Sequence, residues 1–294
     1  MGLSTPVRKS VNAGCKCLDP RALKVARPKG VPESKLMIAM QYWDGDKGQA
    51  EKFLRLITDM QEGYSTEAGV MISARFDSSI DEKLVEYVSR KFPVVTLVGR
   101  RRGTGWPFGC NEVWFETMLW LFGQRRSGRL LEYKAALTLE ADDAPLAKDW
   151  IKRLSDAFDA ARPAHVIGHL HSWDRMNDQR KIASFHCNGN ALFALSPELE
   201  RVLVARQGVP ANSPWDCHMA PAFKKLGWFS TPAVRSIYNT KGLKLKTFAW
   251  MRDRGGAFAH GVKDDSAFEI ARRLYVGTPV DSTLSAAHNT EVEN

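Results

Sequence analysis

The chain has 294 residues, of which 44% are hydrophobic and 26% charged, ordinary globular proportions that exclude a disordered, fibrous or coiled-coil chain. No apolar run reaches the ~18–20 residues of a membrane span, and the first residues lack the apolar core of a secretory signal, so the expectation is a soluble cytoplasmic protein. With 42 Lys and Arg against 33 Asp and Glu the net charge is +9, which suits an anionic partner such as nucleic acid, a membrane surface or a phosphate-bearing small molecule.

Residues 1–34 are basic, are broken by Pro6, Pro20, Pro28 and Pro32, and lack sustained apolar periodicity. They read as an N-terminal extension. Folded structure is expected from Lys35. Leu36 to Met40 is a short apolar run, as in a strand buried on both faces, and Ala50, Phe53, Leu54 and Ile57 follow at helical spacing. The alternation repeats: Val70–Ile72 as strand, Leu84, Val85 and Val88 as a helical stripe, Val94–Val98 as strand, Val113–Phe122 as helix, Tyr133–Leu139 as strand. Leu146, Trp150, Ile151, Leu154 and Phe158 line the next helix. Such succession implies right-handed crossovers and a mostly parallel α/β sheet with helices on both faces. Val166–His171 and Ala191–Leu195 read as further strands and Ala267–Leu274 as a helix. The polar tail over 279–294 reads as disordered. The cysteines, Cys15, Cys17, Cys110, Cys187 and Cys217, are odd in number and scattered, so they read as reduced thiols rather than a disulfide scaffold.

In an open parallel sheet, ligands bind beyond the carboxyl ends of the strands. The strand over Tyr133–Leu139 runs into Glu140-Ala141-Asp142-Asp143, three carboxylates within four positions. These repel one another unless a cation lies between them, and a hard divalent ion, Mn²⁺ or Mg²⁺, suits such oxygen donors. The competing reading is an acidic helix N-cap at Asp143. The second strand leads into Arg75-Phe76-Asp77-Ser78-Ser79-Ile80-Asp81, where Asp77 is expected at the strand tip facing a base edge and Asp81 or Ser79 can cap the next helix. The third strand leads into Gly99-Arg100-Arg101-Arg102-Gly103-Thr104-Gly105-Trp106-Pro107-Phe108-Gly109-Cys110-Asn111. Its glycine spacing misses the dinucleotide fingerprint, but Arg100 and Arg102 suit phosphates. Late in the chain, Phe258-Ala259-His260-Gly261-Val262-Lys263-Asp264 joins an imidazole, a glycine and a lysine. His169 and His171 with His186 and Cys187 offer an alternative zinc set.

In this order the motifs resemble a GT-A glycosyltransferase, the nucleotide-diphospho-sugar transferase fold, over roughly Lys35 to Tyr275. LTLEADDAPLAKDW is similar to that family's metal-binding Asp-x-Asp segment, with Glu140 in place of the first Asp and Asp142 and Asp143 matching the second and third acids. FDSSID resembles the stretch in which Asp77 faces the uracil or other base. GTGWPFGCN resembles the segment in which Asn111 contacts the nucleotide-sugar, with Cys110 where an Arg is usual. Gly189 and Asn190 resemble the small-residue strand under the donor sugar, and Asp216 in Pro214-Trp215-Asp216 falls where inverting members carry a general base. AHGVKD is similar to the ending of retaining members, in which His260 completes the metal shell and Gly261 and Lys263 hold the diphosphate.

The resemblance implies one catalytic domain over 35–278, with a nucleotide-binding half of about 35–145 and an acceptor half of about 146–278. It also implies a divalent metal, a nucleoside-diphosphate sugar donor (a UDP-sugar first), and a hydroxyl acceptor. Basic charge points to DNA as that acceptor. The basic residues are those of the N-terminal extension, Arg100–Arg102, Arg125-Arg126 and Lys241, Lys244 and Lys246, with Trp106, Trp173, Trp228 and Trp250 as stacking platforms. Phage enzymes that glycosylate hydroxymethylated DNA bases are similar in size and charge, and a base inside a duplex would have to be flipped out. Alternatives are a glycan or lipid-linked acceptor, a metal-dependent nuclease, or a non-catalytic nucleic-acid-binding protein.

Overall fold

The computed structural model describes residues 34–174, 183–206 and 212–277. Residues 1–33 of the expected extension and the expected tail over 279–294 lie outside them. The first strand, β1 (Lys35–Tyr42), leads to α1 (Lys47–Met60), β2 (Ala68–Ala74), α2 (Glu82–Ser89), β3 (Val94–Val98), α3 (Phe108–Arg126) and β4 (Tyr133–Leu139). These alternate as their apolar spacing predicts. β1 shows why the sheet needs two covers. Leu36, Ile38, Met40 and Tyr42 pack with Phe53, Leu54 and Ile57 of α1, while Met37 and Ala39 join Trp114, Phe115 and Met118 of α3. Successive side chains leave opposite faces of a strand, so an unbroken apolar run is stable only between two helical layers, each buried large side chain adding roughly 1.5–3 kcal/mol.

After β4 come β5 (Asp143–Pro145), α4 (Trp150–Ala160), β6 (Val166–Asp174), β7 (Ala183–Ala194), α5 (Pro197–Ala205), α6 (Trp215–Leu226), β8 (Trp228–Ser230), β9 (Val234–Thr240), α7 (Leu245–Asp253), β10 (Phe258–Val262) and α8 (Ser266–Tyr275). The large sheet has the order β3-β2-β1-β4-β7-β6-β8, and a small sheet the order β5-β10-β9. β3, β2, β1 and β4 are parallel, whereas β7 runs antiparallel to both β4 and β6. β6 and β8 pair parallel again at the far edge, so the sheet is mostly parallel, as expected, with β7 running against its neighbours. Residues 175–182, between β6 and β7, are too few for a crossover, which takes about a dozen or more.

β3, a strand as expected, lies at the sheet edge and is only partly covered. One expectation is corrected. Leu146 is not helical: Asp143–Pro145 pair with β10 and the Leu146 N–H donates to Ala257 O at 2.8 Å, so the chain stays extended until α4. Asp143 therefore lies in a strand and caps no helix, whereas Asp81 caps α2 through the Lys83 N–H at 2.9 Å. Among the described residues, Cys110, Cys187 and Cys217 form no disulfide, and no helix is long and apolar enough to cross a membrane.

Candidate active site

The carboxyl ends of β1, β2 and β4 open on a cavity of about 450 Å³. Its walls come from Trp43 and Asp46 after β1, Arg75 after β2, Gly105, Trp106, Gly109 and Cys110 before and within α3, Glu140–Asp142 after β4, Trp215 of α6, and Val262 and Lys263 after β10. This is the place an open α/β sheet offers a ligand.

The acidic turn is held by its own members. The Glu140 N–H donates to Asp143 Oδ2 at 2.8 Å and to Asn190 Oδ1 at 2.9 Å. Pairing of β5 with β10 then sets Asp143 opposite His260, which swings the turn onto that imidazole. His260 Nε2 faces Asp142 Oδ1 at 3.4 Å and Glu140 Oε2 at 3.5 Å. It is buried and has no hydrogen-bond partner. One ligand atom from each of Glu140, Asp142 and His260 lies within 4.8 Å of the others. A buried imidazole nitrogen aimed at two carboxylate oxygens, too far away to bond either directly, fits the ligand set of a divalent cation. Ser236 Oγ lies 3.2 Å from His260 Nδ1, and Ser236 N donates to His169 Nδ1 at 3.1 Å. A partner on Nδ1 leaves Nε2 as the ligating nitrogen.

Charge in the cluster is out of balance in one direction. Burial alone would raise the Asp142 carboxyl, but the nearby positive charge of His260 and the hydrogen bond and charge of Lys263 outweigh it and bring it down to about 2. Burial disfavours the His260 imidazolium, yet the Asp142 and Glu140 carboxylates push it well above the usual histidine range. Lys263, ion-paired with Asp142, is likewise raised by that carboxylate against its own partial burial. The field is that of a cation site.

The other expected residues divide. Asp143, fully buried, is turned inward to cap the Glu140 turn and lies outside the converging group; burial raises its carboxyl far above the ordinary value. Gly189 is in place under the acidic turn. A Cβ there would come within 3.4 Å of Glu140 Oε1 and 3.1 Å of the Trp215 ring, so a side chain at this position would press on the indole. Gly261 has φ +94°, a left-handed conformation that suits glycine, between His260 and Lys263.

Asp77 is not on the cavity wall: both its oxygens accept from Arg75, at 2.7 Å each, and this bond holds its carboxyl below the usual range. Arg75, stacked over Trp43 at 5.0 Å, is the member that reaches the cavity. Arg100 and Arg102 do not line it either. The Arg100 and Arg101 amides donate to the Glu116 carboxylate, which ties the loop back to α3. Asn111 is buried and spans the start of α6, donating to Ser213 O at 2.9 Å and accepting from Trp215 N at 2.8 Å. Its amide is spent on the protein. Asp216 lies behind Trp215, 3.7 Å from His186 Nε2, and burial, opposed by His186, raises its carboxyl. With Cys217 these two form a second group of ligand-type side chains. Of the expected set, His169 Nδ1 accepts from Ser236 N, and the side chain of His171 lies outside the described residues.

Arg125 and Arg126 are structural. Arg125 donates to the Leu130 and Tyr133 carbonyls, and Arg126 pairs with Glu200. Of the expected stacking residues, Trp106 is 72% exposed at the cavity rim, Trp250 is exposed elsewhere, and Trp228 packs on the core. Residues to which the sequence reading gave no role are Trp43, Asp46, Arg75 and Ser236. The Trp43-Asp44-Gly45-Asp46 run after β1 was a usable signal, being polar and aromatic at a strand's carboxyl end. Ser236 had none.

No protein-family model matches the chain, and no curated protein sequence matches it. Among solved structures it is similar to the bifunctional glycosyltransferase WbbM, with 12% identity over 87% of this chain and 52% of that one at TM-score 0.52. It also resembles the galactosyltransferase LgtC in complex with donor and acceptor sugar analogues (11%, 82% and 95%, TM-score 0.45). A third neighbour is a glycosyltransferase involved in glycosylation of the major capsid of PBCV-1 (14%, 82% and 98%, TM-score 0.42). The chain spans about half the length of WbbM. The likeness to WbbM is one of fold: a central sheet with a parallel core, flanked by helices, as in GT-A glycosyltransferases.

Proposed function

We propose that the protein is a metal-dependent glycosyltransferase that moves a sugar from a nucleoside-diphosphate sugar, a UDP-sugar first, to a hydroxyl acceptor. One observation carries this reading: the Glu140, Asp142 and His260 ligand atoms converge beside Lys263 at the wall of the cavity at the carboxyl ends of the parallel strands. Glu140, Asp142 and His260 would hold Mn²⁺ or Mg²⁺, with Asp143 bracing the turn. Such an ion supplies Lewis-acid polarisation of a diphosphate. Lys263 offsets negative charge gathering on the departing diphosphate, and Gly261 lets the backbone come close to it. Trp43 and Trp106 offer faces to the base or sugar ring, and Arg75, oriented by Asp77, offers a guanidinium to a phosphate or base edge. Gly189 gives the sugar room above the acidic turn. Asp216, one residue from the cavity-lining Trp215, is the base proposed for the acceptor hydroxyl in an inverting course.

The leading acceptor is a hydroxymethylated base in DNA, supported by the net charge of +9. The test is a thermal-shift screen of nucleoside-diphosphate sugars with and without Mn²⁺ on the wild type and Asp142→Ala. A ligand that binds only the folded state raises the melting temperature. Metal-dependent stabilisation by one donor, lost in the variant, is expected. No shift with any donor would overturn the reading.

A further inference from the structure

Around α7 and β9 the surface gathers charge of one sign. Between residues 235 and 254 the chain carries six cations and one carboxylate. That carboxylate, Asp253, is taken by Arg252 at 2.8 Å, and Lys241, Lys244 and Lys246 are exposed. Arg235 and Arg254 both lie against the Trp250 ring, their guanidinium carbons 5.6 and 4.5 Å from its centroid, and Trp250 is 48% exposed. Among the described residues neither arginine has a carboxylate partner. Arg235 Nε is buried without a hydrogen-bond partner, and its Nη2 makes only a long bond, 3.4 Å, to Arg254 O. Burial, and then the charge of Arg254, weaken the hold of Arg235 on its proton. Two guanidiniums side by side on one indole, one with an unsatisfied N–H, are costly until an anion joins them. Arg235 also precedes Ser236 on β9, whose hydroxyl meets His260, so one strand carries a residue of each group on opposite faces.

We propose that Arg235, Arg254 and Trp250, with Lys241, Lys244 and Lys246 beside them, form a docking surface for the phosphodiester backbone of a nucleic-acid acceptor. The proposal rests on the transferase reading for its use of the word acceptor, and names the surface that reading leaves open. A row of cations suits a repeating anion better than a single phosphate. Guanidiniums laid on an indole keep their N–H forks directed at phosphate oxygens.

The test is a fluorescence-anisotropy titration of labelled poly-dT across a range of salt, with the wild type, Arg235→Ala/Arg254→Ala and Arg235→Lys/Arg254→Lys. The alanine pair is expected to bind roughly tenfold more weakly at low salt, and its log–log salt slope should be shallower by ~1.4, that is ~0.7 for each lost single-strand phosphate contact. The lysine pair, which keeps the charge, should retain most of the slope. An unchanged slope in the alanine pair overturns the proposal. So does a wild type that binds a sulfated glycan and not poly-dT, which would make the surface a glycan site. The donor-induced thermal shift separates the two readings. If it persists in the variants, the fold and cavity are intact and the loss belongs to the surface; if the wild type itself lacks it, the transferase reading fails while the salt slope still decides this one.

Discussion

The two sheets are built from opposite materials. β1, β2 and β4 are apolar runs that are buried along almost their whole length, and their position follows from packing between two helical layers. The small sheet is short, and its strands carry Asp143, Ser236 and His260, side chains that hold one another by hydrogen bond and strand register. The large sheet therefore sets where the cavity is, and the small sheet sets what lines its reactive wall. Stability and chemistry should accordingly be separable by mutation, since sites with independent partners act independently.

The largest effect is expected at Asp142. Asp142→Ala removes a carboxylate that faces both His260 and Lys263. It should lower sugar transfer at saturating Mn²⁺ by roughly 10³-fold, with the melting temperature nearly unchanged; a matching collapse in stability would erase the contrast between the sheets. Ile38→Ala, in the fully buried centre of β1, should do the reverse. A loss of about 2–5 kcal/mol is expected in chemical denaturation, with turnover per folded molecule preserved. Ser236→Ala sharpens the comparison, because it frees His260 Nδ1 without touching a charge. The Mn²⁺ concentration for half-maximal activity should rise by about 10-fold or more, and Ser236→Thr should recover most of it.

The smallest effect is at Asp46, on the cavity wall but outside both cores. Burial pushes its carboxyl up to about 6 against an ordinary 3.8, partly opposed by the Trp43 N–H. The folded state thus holds this proton more tightly than the unfolded one, so its contribution to stability is present below about pH 4 and is lost as pH rises through about 6. Asp46→Asn keeps an acceptor for Trp43 N–H and should raise the melting temperature by about 2 °C at about pH 7.5, with no gain near pH 4.

Much of this was legible because apolar spacing reports burial. The alternation from Leu36 to Leu139, and the helical stripes of Phe53, Leu54, Leu154 and Phe158, are consequences of two-sided burial that any reader of the sequence can count. Strand direction beyond β4 was not, since β6, β7 and β8 have the composition of any strand and their order depends on connections rather than on side chains. In the site, Glu140, Asp142, His260 and Lys263 announced themselves by charge against an apolar background. Asp143, Asn111 and Asp77 carry equally suggestive groups, yet their hydrogen-bonding capacity is directed to protein partners, respectively Glu140 N, the start of α6 and Arg75. A polar side chain's type says what it can bind; only its neighbours say what it already has bound. Ser236 shows the converse, an unremarkable residue given its role by the strand beside it.

Asn111 also has a mechanical consequence. Its carboxamide grips Ser213 and Trp215 at once, and Trp215 of α6 is stacked on Trp114 of α3 with ring centroids 3.6 Å apart. The glycine-rich loop leading into α3 and the indole of α6 are therefore hitched together as one jaw across 104 residues of chain. Spreading them would break two hydrogen bonds and an aromatic stack together, so this side of the cleft moves as a unit or not at all. Trp43, exposed on the cavity wall after β1, is held separately, by Asp46 and by Arg75.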